Sequence, residues 1–252
     1  MSKTAQISVL STASDLESEA AEKIVAIAQA QIAAKDSFLL VLAGGTTPKG
    51  LYQLLAQEPF RSQIAWEKVH IFWSDERFVP FEHPENNYRL AHEALLQHVP
   101  IPATQIHPIP TASADPQTAA QTYQQLVKQA LKDNQNSFDL VILGMGEDGH
   151  TAALFPYHAA LYVSNDCLVL AIANAPKPPS QRVSLTLGAL NRAANIFLLV
   201  TGEAKAATLH EVWYGPDEPQ RLPVQALKPS KGEVLWLVDM AAAHAPRSGY
   251  EI

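Results

Sequence analysis

A chain of 252 residues, 47% hydrophobic and 17% charged, can bury a large core, and its formal charge of −7 without any block of Lys or Arg argues against a nucleic-acid surface. The one cysteine, Cys167, has no intramolecular disulfide partner and reads as packing beside an apolar run; no Cys/His cluster has zinc spacing, so a reducing compartment and a metal-free site are expected. No apolar run approaches membrane-spanning length and Met1 to Gln6 shows no apolar signal core, so a soluble cytoplasmic protein that meets any anionic substrate with a few local cations is expected.

Ile7 to Leu10 reads as a short first strand. Ser14-Asp15-Leu16-Glu17 has the pattern of a capping box opening an Ala-rich helix toward Ala34. Phe38 to Leu42 is a buried strand ending in Ala43-Gly44-Gly45-Thr46-Thr47-Pro48, after which Lys49 to Ala56 reads as helix, with Thr47 as N-cap and Pro48 at the first helical position. A third strand, Val69 to Trp73, runs into Ser74-Asp75-Glu76-Arg77, and Asn86-Asn87-Tyr88-Arg89 opens a helix to about His98. Pro100 to Pro110 reads as loop with one extended piece, and Asp115-Pro116 caps a polar helix to about Lys132.

Leu140 to Leu143 is too short for a buried helix and is closed at once by Gly144, which makes it a central strand. Beyond it, Leu168 to Ala173 is a strand, Pro176-Lys177-Pro178-Pro179 an irregular loop, and Arg182 to Leu187 an alternating segment before Gly188. Ile196 to Val200 is a buried strand leaving through Thr201-Gly202-Glu203 into a helix from about Ala204 to Trp213, stopped by Gly215-Pro216. Glu233 to Val238 gives a last strand, and Ala245 to Ile252 is expected to be loosely held. Strands and helices alternate without a linker or repeat. The pattern predicts one α/β domain over residues 1–252, with a doubly wound, mostly parallel sheet and helices on both faces.

Ligands in such sheets bind at the carboxyl ends of strands, so the strand exits carry the candidate chemistry. In Gly144-Met145-Gly146-Glu147-Asp148-Gly149-His150 the glycines permit positive φ and close approach, and Asp148 lies two residues from His150, near enough to orient its imidazole. The structural alternative is a helix-capping Asp beside a loop His. Gly44, Gly45 and Thr46 before a helix resemble an anion cradle of backbone N–H groups and hydroxyls, or else an ordinary turn. This is neither a Walker loop nor a dinucleotide fingerprint, and no Gly-x-Ser-x-Gly elbow is present. Lys205 is a candidate cation beside the same anion, or a solvated helix lysine; Arg77 is a candidate phosphate ligand, or the partner of Asp75 or Glu76 in a salt bridge; Arg182 shares that ambiguity. The other eight histidines lack a glycine-rich exit and read as structural or solvated, and the four tryptophans as core or groove wall.

Taken together, Gly44-Gly45-Thr46-Thr47-Pro48, Ser74-Asp75-Glu76-Arg77 with Asn86-Asn87-Tyr88-Arg89, and the run Gly144 to Pro156 resemble the 6-phosphogluconolactonase family, with Arg182 to Leu187 and Val200 to Lys205 extending the match over most of the chain. The resemblance implies a fold similar to glucosamine-6-phosphate deaminase. It further implies a cytoplasmic hydrolase of the oxidative pentose phosphate pathway, without metal or organic cofactor, acting on 6-phospho-D-glucono-1,5-lactone; a monomer is expected. The deaminases follow their Asp-Gly-His with Asn-Glu-Pro, whereas this chain has Leu154-Phe155-Pro156, and Phe155 supplies no carboxylate. A sugar-phosphate sensor that lost catalysis is the rival from another class, and retention of both Asp148 and His150 speaks against it. For lactone hydrolysis His150 is the candidate base toward water, Asp148 its orienting carboxylate or the holder of the water, and Gly44, Gly45, Thr46, Asp75, Arg77, Arg182 and Lys205 the substrate and phosphate contacts. Both the N–H groups of a glycine turn and Arg77 are candidate donors to the oxyanion.

Overall fold

The computed structural model describes residues 5–244; the expectation for Ala245 to Ile252 lies outside the described residues. Its strands are β1 (Ala5–Leu10), β2 (Phe38–Leu42), β3 (Val69–Trp73), β4 (Asp75–Arg77), β5 (Leu140–Gly144), β6 (Val169–Ile172), β7 (Arg182–Leu185), β8 (Asn195–Val200) and β9 (Glu233–Asp239). Six of them form a parallel sheet in the order β1-β9-β8-β5-β2-β3. All five residues of β2 are buried, as are Leu140 to Leu143 of β5, so both faces of the sheet are covered. This explains why these strands read as continuous apolar runs rather than alternating ones.

From β2 the chain moves outward to β3 and then returns to the opposite side of β2 as β5, continuing to β8 and β9. The direction of winding therefore reverses between β2 and β5, which opens a crevice between their carboxyl ends.

The sequence pattern did not separate out a second sheet. β4, β7 and β6 form an antiparallel unit, with Arg77 opposite Arg182 and Asp75 opposite Ser184. Asp75 to Arg77 is thus a strand and not merely an exit turn. Three polar residues carry no periodicity by which to recognise one. The helix Pro116–Asp133 joins the two sheets: it packs on β6 and β7, while its Tyr123 hydroxyl receives the Trp73 N–H at 2.8 Å and donates to the Trp73 carbonyl at 3.0 Å.

The first helix, Ala13–Lys35, starts before the expected box. Its N-cap is Thr12, whose hydroxyl accepts from Asp15 N–H while the Asp15 carboxylate accepts from Thr12 N–H. Asp15 fills the role that Ser14-x-x-Glu17 assigned to Glu17, since a shorter carboxylate at the same helical position still reaches back to the cap. The Asn86 and Asp115 caps form as expected, accepting from Arg89 and Thr118 N–H.

Candidate active site

At the β2 exit the helix Thr46–Leu55 has Gly45 as its N-cap, at φ +106° and without a side-chain cap. Thr47 is therefore not the N-cap, and Pro48 is the third helical residue. A glycine cap leaves the first-turn N–H groups unsatisfied by the helix and open to an anion. Thr47 instead places its hydroxyl 2.6 Å from that of Thr201, tying the β2 exit to the β8 exit. Gly44 is required by close approach: a β-carbon there would lie 2.0 Å from Asn87 Oδ1, and Asn87 is itself fixed by donating from Nδ2 to the Asp75 carbonyl at 2.9 Å.

At the β5 exit the chain closes on itself, Gly149 N–H donating to the Gly146 carbonyl at 3.0 Å and Gly146 N–H to the His150 carbonyl at 2.8 Å. The turn folds His150 and Asp148 back over Gly146, where a β-carbon would meet His150 Nδ1 at 2.0 Å and Asp148 Oδ1 at 2.5 Å. Gly149 takes the expected positive φ, whereas Gly144 is an ordinary strand residue. His150 Nδ1 lies 2.5 Å from Asp148 Oδ1, and the imidazole packs on Phe155 with ring centroids 4.6 Å apart.

Burial alone would raise the Asp148 carboxyl, but the hydrogen bonds and opposing charges of His150 and Lys177 outweigh it and hold the group below the usual carboxylate range. An ionised carboxylate only accepts, so Nδ1 of His150 carries the proton and the lone pair of the neutral ring resides on Nε2. Nε2 has no protein partner among the described residues, and His150 lines the cavity.

The cations come from the antiparallel sheet and from the β8 exit. Arg77 donates from Nη1 to the Glu85 carbonyl at 2.9 Å and keeps a buried Nε without a partner. Arg182, 5% exposed, donates from Nε to the Pro179 carbonyl at 2.7 Å and from Nη2 to the Pro178 and Lys177 carbonyls at 3.2 and 3.3 Å. Neither arginine forms an ion pair with Asp75 or Glu76 among the described residues. Glu76 has different work. Its carboxyl oxygens accept from the N–H groups of Arg77, Asn87 and Tyr88, clamping the helix Asn87–Ala94 to β4 at its N-terminal end, while burial outweighs these bonds and pushes the group up to about 8. Lys205 is half-buried, and burial draws its ammonium below the usual lysine range, with Lys177 adding to the effect and Glu147 and Asp148 opposing it.

One cavity of about 250 Å³ is lined by Gly44, Gly45, Thr46, Asp75, Arg77, His150, Arg182 and Lys205, so every candidate residue except Asp148 reaches it directly. Asp148 stands behind His150, bonded to its Nδ1. Asn87 and Thr201 also line the cavity, and Lys177 touches Asp148; sequence reasoning gave none of the three a site role. Asn87 had a signal, lying in the asparagine pair that opens a helix after a charged strand exit, but Lys177 sits in a proline loop without any periodicity. His70 and His107, away from the cavity, share a 3.1 Å hydrogen bond, in keeping with a structural role.

A 6-phosphogluconolactonase from Synechocystis sp. is 41% identical over 214 residues, covering 84% of this chain and 85% of that protein. The crystal structure of a 6-phosphogluconolactonase from Thermotoga maritima superposes with a TM-score of 0.80 at 31% identity, covering 93% of this chain and 99% of that one. A monomeric glucosamine-6-phosphate deaminase shares the fold, with a TM-score of 0.79 at 20% identity over 94% of this chain and 98% of that one. Residues 11–236 match the family model described as glucosamine-6-phosphate isomerases/6-phosphogluconolactonase, and the chain belongs to that family.

Proposed function

We propose that this protein is a 6-phosphogluconolactonase, which hydrolyses 6-phospho-D-glucono-1,5-lactone to 6-phospho-D-gluconate. The observation that carries this reading is the shared cavity: an imidazole with a free Nε2 faces the same space as Arg77, Arg182, Lys205 and a helix N-terminus that no side chain caps. The cationic wall suits a phosphate dianion, and the imidazole suits removal of a proton from water.

In this mechanism the phosphate is held by Gly45 and Thr46 N–H groups, Lys205 and the arginines, which fixes the lactone carbonyl near His150. Nε2 takes a proton from water as the oxygen attacks the carbonyl carbon. Asp148, bonded to Nδ1–H, holds the ring and stabilises the imidazolium that forms. The imidazolium then returns the proton to the ring oxygen as the acyl C–O bond breaks, giving the carboxylic acid and the freed hydroxyl. Binding at the remote phosphate lowers the barrier by orientation, so its loss lowers turnover as well as affinity.

Deamination of an amino-sugar phosphate is the weaker reading, because Phe155 packs on the His150 ring and offers no carboxylate there. We place the enzyme in the cytoplasm as a monomer of one domain; the connected core beneath both sheets supports the single domain. The test is NMR of freshly generated lactone with wild type, His150→Ala and buffer alone. Acceleration by wild type, absent in a folded His150→Ala protein, is the expected result; decay at the buffer rate in all three overturns the assignment.

A further inference from the structure

Asp148 divides its two oxygens between two partners. Oδ1 lies against His150 Nδ1 and Oδ2 lies 3.2 Å from Lys177 Nζ. An exposed lysine on a free loop contributes little to such a pair, since holding it costs side-chain entropy and water screens the charge. Lys177 is 45% exposed, but its backbone is not free. The Arg182 guanidinium gathers the carbonyls of Lys177, Pro178 and Pro179, and Ala175 N–H donates to the Ser180 carbonyl at 2.9 Å to close the base of the loop. Prolines on both sides of Lys177 restrict the loop further. The lysine is therefore placed beforehand, by an arginine that lines the cavity.

We propose that Lys177 is a positioning residue for the hydrolysis assigned above: by occupying the outer oxygen of Asp148 it limits the carboxylate's grip on His150 and keeps the base free of its proton toward lower pH. The inference rests on the lactonase reading. The electrostatic argument is direct. A carboxylate beside an imidazole favours the charged ring, while a cation shared on that carboxylate opposes it. The other charged groups of this wall are Glu147 beside Asp148, Lys205 from the β8 exit, and Asp75, Arg77 and Arg182 from the antiparallel sheet. Of the cations, Lys177 is the one that touches the dyad among the described residues.

The test compares pH profiles of kcat/KM for wild type, Lys177→Met and Lys177→Arg, together with NMR titration of the His150 ring nitrogens in each. For Lys177→Met the acid limb moves up by roughly 0.5–1 pH unit, a ~3–10-fold loss on that limb, with the plateau little changed. The ring titration moves in the same direction, and Lys177→Arg restores both. A uniform loss with an unmoved limb would reduce Lys177 to a loop prop, and a raised KM confined to the phosphorylated lactone would make it a phosphate ligand; either result overturns the proposal. Because the ring titration needs no turnover, it judges Lys177 even in a protein without lactonase activity, a failure that would fall on the functional assignment instead. A Lys177→Met protein that does not fold is replaced by Lys177→Gln, which removes the same charge from an exposed position.

Discussion

The parallel and antiparallel sheets contribute to the cavity in different ways. The exits of β2, β5 and β8 bring tight turns and mostly short groups: Gly44 and Gly45, the closed turn from Gly146 to His150, and the Thr201 hydroxyl bridged to that of Thr47, with Lys205 the one long cation among them. The antiparallel sheet brings long cationic side chains, Arg77 and Arg182, on adjacent strands. In the proposed mechanism the ring that must be placed within a fraction of an ångström hangs from the exit of the central strand, whose burial on both faces leaves its base little room to move. Phosphate recognition would draw on both regions, on backbone N–H groups and Lys205 from the one and on the arginines from the other.

The comparison breaks first at the exit of the central strand. His150→Ala should lower hydrolysis by roughly 10²–10⁴-fold, measured above the spontaneous rate, with the fold intact by circular dichroism. Gly146→Ala sharpens the point without touching a reactive group: its methyl would fall 2.0 Å from His150 Nδ1, and displacement of the ring should lower turnover by ~10²-fold. A Gly146→Ala enzyme with full activity would show that the dyad has slack. On the cationic side, Lys205→Ala should raise KM for the phosphorylated lactone by about tenfold, with a smaller effect on unphosphorylated gluconolactone; equal effects on the two would remove Lys205 from the phosphate site.

The smallest effect is on stability. A carboxyl held below its unfolded value stabilises the fold above the ordinary carboxylate range, and this contribution is lost as pH falls through the folded value. For the partly exposed Asp148 it should amount to less than ~1 kcal/mol after solvent screening. Denaturant titrations of wild type and Asp148→Asn should differ at about pH 5 and converge toward about pH 2. A difference that grows as pH falls below about 5 would reverse the assigned sign.

The central strands β2, β5 and β8 were legible because burial leaves an unmistakable apolar run, and the β2 and β5 exits because glycines cluster directly after those runs. Asp148 and His150 could be named from two positions of sequence. The antiparallel sheet was not, since β4 is three polar residues and its pairing with β7 depends on positions more than a hundred residues apart. The misplaced N-cap at Thr47 has a local cause: Gly45 caps with backbone alone, and a side-chain rule finds the nearest hydroxyl instead. Glu76 read as a possible partner for Arg77, and only the fold brings the Asn87 and Tyr88 N–H groups within its reach.

Arg77 and Arg182 face one another across an antiparallel ladder, each repelling the other in a protein whose formal charge is −7. Like charges placed opposite in a sheet weaken the pairing that carries them. Asp75, Glu76 and Glu85 offset part of that repulsion, and in the proposed site a phosphate dianion would offset more of it. Any ligand that prefers the folded state adds to its stability by mass action. In the proposed enzyme a bound sugar phosphate would therefore raise the denaturation midpoint as well as serve as substrate or product.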